Sequence, residues 1–262
     1  MQRALRAGLL VVGILSIVFA IGFFLQAPWA TSFWPVKAAR LSNIFVSSIL
    51  AAIGTPILWI ALSGEIRAIA GGAINLILTN GAIAFAAYIF YRDGGPAALL
   101  PFSAISAAIA IVCLGLLIYS QRLKFQDNRS TPWAVRLSFA GFAIALLLTG
   151  GALITVRPNI FPWPLSPENS VFYGSIFLGA MCYFIYGLVY PCWSNAKGQL
   201  LGFLAYDLVL VVPFFRHFAR GKPEMHLSLT VYTTVVSYSG LLAIFFLFLY
   251  QPTRLRIKKS MG

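Results

Sequence analysis

QLLGFLAYDLVLVVPFFRHF, from Gln199 to Phe218, is an apolar run with a single deeply placed charge, Asp207. Twenty residues rising 1.5 Å each cover about 30 Å, the thickness of a bilayer's hydrocarbon core. The run is predicted to be a membrane-crossing helix, and the chain on both sides of it reads the same way. Upstream, comparable runs cover Ala7–Leu25, Leu41–Ser63, Ile69–Tyr91, Ala98–Tyr119, Ala134–Thr155 and Val171–Cys192, and downstream one covers Leu229–Tyr250. The quoted stretch is thus the seventh of eight. The fold class expected is all-α, a polytopic transmembrane helical bundle of eight spans. A β-barrel would show alternating segments of about ten residues, and these runs are continuous.

Composition agrees. Hydrophobic residues make up 60% of the 262, charged residues only 10%, and the mean hydropathy is +0.87. Soluble domains carry roughly 25% charge, so lipid must serve as solvent for much of this surface. The net charge of +13 would suggest nucleic acid in a soluble protein, but here the basic residues cluster in polar loops, where they set orientation. No nucleic-acid partner is expected; the expected partners are the lipid bilayer, other membrane subunits, or a lipid or small apolar ligand. Cys113, Cys182 and Cys192 lie within or at the end of apolar runs, with no CxxC among them. They read as small hydrophobes rather than as disulfide or metal ligands.

Eight spans put both termini on one side. Twelve of the 19 Lys and Arg residues fall on that side, counting helix ends with their loops. The positive-inside rule then makes both termini cytoplasmic, although Arg216, Arg220 and Lys222 run against the bias. The basic start before Ala7 resembles a signal peptide, but the run is long for one and its exit, QAPWAT, lacks a good cleavage site. We read it as a retained anchor. Short loops and the lack of a targeting motif suggest a bacterial inner membrane.

A weak internal repeat divides the chain. Gly22 precedes Trp34 by 12 residues, Gly151 precedes Trp163 by 12, and the two tryptophans are 129 apart. Each stands in a Trp-Pro loop just before the next span. The polar segment QRLKFQDNRSTP, Gln121–Pro132, would separate a first half (1–120) from a second (134–262, with a basic C-terminal tail), the linker being 121–133. Four spans per half give a parallel duplication, an arrangement in which transporters place sites between the repeats.

Asp207 is the first candidate for chemistry. A carboxylate at the bilayer centre costs about 2.5–3.5 kcal/mol on insertion scales, so it is expected to be protonated, paired or facing a cavity. It serves either a proton-linked or ligand site, together with Tyr206, or an interhelical hydrogen bond that knits the bundle. In the third span Gly72, Asn75, Thr79 and Ala82 share a helical face. Under the repeat, Asn75 falls on Leu204, a turn from Asp207, and Asn80 adds a second amide. Asn75, Asn80 and Thr79 thus join Asp207 and Tyr206 as ligand-binding or proton-linked candidates, with plain helix packing as the alternative. Trp34, Trp163, Phe33 and Phe161 would line an entrance or partner surface, or form an aromatic belt at the headgroups.

Motifs for intramembrane chemistry are lacking: there is no HExxH, no second buried Asp, no P-loop, and no Lys in the last span. No catalytic residue, metal or cofactor is expected. The reading that follows is a scaffold or accessory subunit of a membrane complex; its rival is a transporter-like or small-molecule- or lipid-binding protein with a polar site between the halves.

Overall fold

The computed structural model describes residues 2–218 and 223–255. The basic tail from Arg256 to Lys259, and Arg220 and Lys222, lie outside the described residues. Among the described residues eight helices are long and apolar enough to cross a membrane: α1 (Gln2–Phe24), α3 (Arg40–Ser63), α4 (Ile69–Arg92), α5 (Leu99–Gln121), α6 (Trp133–Ile154), α7 (Pro167–Val189), α8 (Trp193–Phe218) and α9 (His226–Ile244). A one-turn helix, α2 (Pro28–Thr31), follows α1, and a π-turn over Phe245–Leu249 extends α9. Among the described residues there is no strand, only one antiparallel bridge between Ser130 and Cys192.

The ends of these helices follow local chemistry. Gly64 closes α3 at φ 78°, a left-handed position that glycine adopts without strain, and its N–H reaches back to the Ile60 carbonyl. Ser166 caps α7, its side chain accepting from the Asn169 N–H, with Pro167 in the first turn. The cap starts α7 four residues before the expected Val171. The helix α8 starts six residues before Gln199, because Trp193, Ser194 and Asn195 are buried rather than looped out. Expected and observed boundaries elsewhere differ by up to six residues.

The helices pair as hairpins: α1 with α3, α4 with α5, α6 with α7, and α8 with α9. Two further contacts, α4 with α7 and α3 with α8, join the hairpins into one body. The central four are therefore α3, α4, α7 and α8. Replacing each long helix by the one four places on leaves this neighbour pattern unchanged. Within the ring, α3 scarcely touches α4, and α7 scarcely touches α8. Sparse contact along those two seams leaves room at the centre of the bundle.

Each end of the bundle is bound across. On the side of the termini, the α5–α6 linker ties down the two loops beneath it. The Gln126 amide N–H donates to Glu65 Oε1 at 2.9 Å, and its side chain donates to the Gly64 carbonyl at 2.8 Å. Asp127 N–H donates to Ser194 Oγ at 3.0 Å, and Trp193 N–H to the Arg129 carbonyl at 2.7 Å. On the opposite side, Trp34 donates its indole N–H to Asn169 Oδ1 at 2.8 Å, and Trp163 donates to Ser42 Oγ at 2.9 Å.

Candidate functional site

Along α4, Gly71, Asn75 and Thr79 stand four residues apart and face α7. A Cβ on Gly179 of α7 would come 2.0 Å from Thr79 Oγ1 and 2.7 Å from the Asn75 carbonyl, so the two backbones nearly touch. Gly71 lies against the rings of Tyr183 and Tyr186, whereas Gly72 faces open space. The contacting stripe therefore begins at Gly71, one residue before the expected start. Thr79 donates to Asn75 Oδ1 at 3.1 Å.

Beside this contact lies a cavity of ≈ 220 Å³, walled by α3, α4, α6, α7, α8 and α9. Asn75, Thr79 and Tyr206 all line it, so three of the expected residues come together. Asn80 does not: its amide donates to the Leu76 carbonyl of its own helix at 2.9 Å. Asp207 also stays off the wall. It faces α9, where Ser239 donates to its Oδ1 at 3.0 Å, and its Oδ2 is buried without a hydrogen-bond partner among the described residues. Ser239 itself lines the cavity, so Asp207 stands one hydroxyl behind the lining.

The rest of the wall is aromatic and aliphatic. Phe184 of α7 stacks on Phe203 of α8 with centroids 4.8 Å apart, and Phe142 of α6 meets Phe203 at 4.6 Å. No Asp, Glu, Lys, Arg or His lines it. What the site offers is hydroxyl and amide groups set among ring faces, with no charged side chain among the described residues of its wall. Among the described residues no three His, Cys, Asp or Glu come close enough to hold a metal ion.

The aromatic candidates lie elsewhere. Trp163 and Phe161 are buried, Trp34 is half-buried and Phe33 is exposed. None lines the cavity. Phe161 packs against Phe45, Tyr173, Phe177 and Tyr232 in one cluster, which roofs the cavity because Phe177 and Tyr232 belong to both.

Sequence reasoning missed Tyr183, Gln199, Phe203, Tyr232 and Ser239. Gln199 is 1% exposed and donates to the Tyr183 carbonyl at 2.6 Å, forming the cavity's floor toward the termini. The pair Ser239-Gly240, polar and small inside an apolar span, was the available signal: Gly240 lets Asp207 lie against α9, where a Cβ would sit 3.3 Å from Oδ2. It also missed the charged group under the linker. Glu65 is buried, which pushes its carboxyl up, partly offset by the Gln126 amide. The Arg129 guanidinium beside Asp127 holds that carboxyl below the usual range, and Lys197 stands 3.6 Å from it. No family model, curated protein or solved structure matches the chain significantly.

Proposed function

We propose that this chain is a transporter-like, ligand-binding membrane protein that holds a lipid or small, mostly apolar molecule between two four-helix halves, 1–120 and 134–262. The observation that carries this reading is the cavity itself, walled from six helices and furnished with Asn75, Thr79 and Tyr206 at the α4–α7–α8 junction. A helix arrangement that is unchanged when each span is exchanged for its fourth neighbour supports the division into halves, as do the reciprocal tryptophan bonds. Sites between repeats are the usual transporter arrangement. The excess of Lys and Arg on the side of the termini supports a cytoplasmic placement of both ends. The short loops alone support a bacterial inner membrane.

The scaffold reading draws on α5, whose outer face is almost wholly unburied. Lipid covers such a face as well as a partner helix does, so this observation does not separate the two readings. The test is mass spectrometry of the protein extracted into nanodiscs directly from the membrane that houses it. The expected result is one retained small molecule or lipid per chain, lost when Ala180→Phe fills the cavity. Stoichiometric recovery of other membrane subunits around an empty cavity would overturn the proposal.

A further inference from the structure

We infer that the cavity is filled sideways from the bilayer, through the seam between α6 and α9, by an uncharged and largely apolar molecule carrying a hydrogen-bond acceptor. The inference rests on the ligand-binding reading above and adds the route and the chemical class.

The route follows from which residues belong to two surfaces at once. Ala145 on α6 and Val231 and Val235 on α9 line the cavity, yet they are exposed on the outside of the bundle. Val231 is 52% exposed and Val235 39%. Such residues mark where an interior space meets its surroundings. Ala145 is the thirteenth of 22 residues in α6 and Val235 the tenth of the 24 that cross in α9. Both therefore sit near mid-membrane, where the surroundings are acyl chains rather than water.

Toward both faces of the membrane the cavity is closed. Toward the termini the seam is sealed by Ser138 Oγ and Tyr238 OH, 2.7 Å apart, and by Phe139 packed in one cluster with Ala243 and Phe246. The Gln199–Tyr183 bond floors the cavity on that side. On the opposite side the buried rings of Phe161, Trp163 and Phe45 stand between the cavity and the loops.

The class of occupant follows from the wall. A charged group would enter a space lined by no counter-charge and give up its hydration uncompensated. An uncharged molecule loses nothing of the kind, and its apolar surface gains ring faces from Phe142, Phe184 and Phe203. Tyr232 lines the cavity, and its hydroxyl is buried with no hydrogen-bond partner among the described residues. It has an O–H to donate, which a carbonyl or hydroxyl oxygen on the guest would accept. At ≈ 220 Å³ the space exceeds the roughly 150 Å³ of a dry cavity that takes benzene. It suits one alkyl chain or a small ring system, not a whole phospholipid.

Photolabelling of the full chain in nanodiscs tests this with three probes: a diazirine-bearing fatty alcohol, the matching quaternary ammonium amphiphile, and a water-soluble sugar-linked aryl diazirine. The expected result is that the alcohol labels Phe142, Phe203 or Tyr232. The ammonium probe should label them less by about fivefold or more, a difference of ~1 kcal/mol. Ala145→Trp, which plugs the rim, should cut the alcohol's labelling about as much, while Leu148→Trp on the outer face of α6 should not. Val231→Phe serves as a second plug if Ala145→Trp does not elute as a single species. Equal labelling by the ammonium probe, or labelling indifferent to both plugs, would overturn the inference. Labelling of the cavity by the water-soluble probe alone would keep the site and reject the lateral route. Labelling of the interior by none of the three would reject the ligand-binding reading itself.

Discussion

Trp34 reaches across the bundle to Asn169, and the bond is repeated in mirror sense by Trp163 and Ser42. Trp34 lies in the loop after α1 and Trp163 in the loop after α6, and each acceptor is the third residue of a helix, Ser42 in α3 and Asn169 in α7. Asn169 and Ser42 are 2% and 1% exposed, so neither can turn to water if its partner is lost.

These bonds should be worth more together than in isolation if they clamp the same closure. Trp34→Phe keeps the ring and leaves Asn169 Oδ1 bare, at a cost of about 1–3 kcal/mol. Trp163→Phe removes the donor to the Ser42 hydroxyl and should cost about 1 kcal/mol. Thermal unfolding of both single variants and the double variant in nanodiscs gives the coupling. A double variant whose loss equals the sum of the two would show independent bonds and no shared clamp.

Gly179 and Gly72 offer a paired test of the α4–α7 contact. Gly179→Ala places a methyl against the Thr79 hydroxyl and 2.7 Å from the Asn75 carbonyl oxygen, a backbone atom that cannot swing away. It should cost about 1–3 kcal/mol as overpacking and open the site around Asn75. Gly72→Ala meets nothing within 4 Å, and should stabilise α4 by up to about 1 kcal/mol through helix propensity. The same unfolding measurement reads both, and equal effects would refute the register described.

The eight spans were legible because lipid dictates both the length and the apolarity of whatever crosses it. Rotation about each helix axis was not, because core-facing and lipid-facing residues are alike apolar. Asn75 and Thr79 escaped that ambiguity as polar groups on a common face. Asp207 was visible for the same reason, but its turn toward Ser239, away from Asn75, depends on α8 packing against α9, which no periodicity reveals. The early starts of α7 and α8 were hidden by polar first turns. Asn169 and Ser194 look like loop residues until the Lys37 carbonyl and the Asp127 amide are seen to satisfy them.

Asp207 stands behind Ser239 and accepts from its hydroxyl, so holding that hydroxyl is the role to test. Asp207→Asn retains an oxygen to accept from Ser239 and should leave ligand retention within about twofold. Ser239→Ala strips the carboxyl of its one described hydrogen bond and should cost about 1–3 kcal/mol in stability. Retention measured across pH separates the roles: a pH response present in the parent chain and lost in Asp207→Asn would make the carboxyl a proton carrier instead.

Glu65 and Asp127 lie under the same linker and should give pH slopes of opposite sign. Burial pushes the Glu65 carboxyl up, with the Gln126 amide and Lys197 opposing. An acid raised on folding holds its proton more tightly when folded, so its contribution is greatest below the ordinary glutamate value and is lost as pH rises through the folded one. Asp127 is lowered, first by its hydrogen bond from Arg129. Its contribution is present above the ordinary aspartate value and is lost as pH falls through the folded one. Glu65→Gln keeps an oxygen for the Gln126 N–H and removes the buried charge. It should match or exceed the parent chain in unfolding temperature near about pH 7, with the gap closing toward about pH 4. Asp127→Asn should lower the unfolding temperature near about pH 7 and converge on the parent below about pH 3. A Glu65→Gln variant less stable than the parent at neutral pH would mean that the attraction of Lys197 outweighs the cost of burial, and that the linker is held by charge.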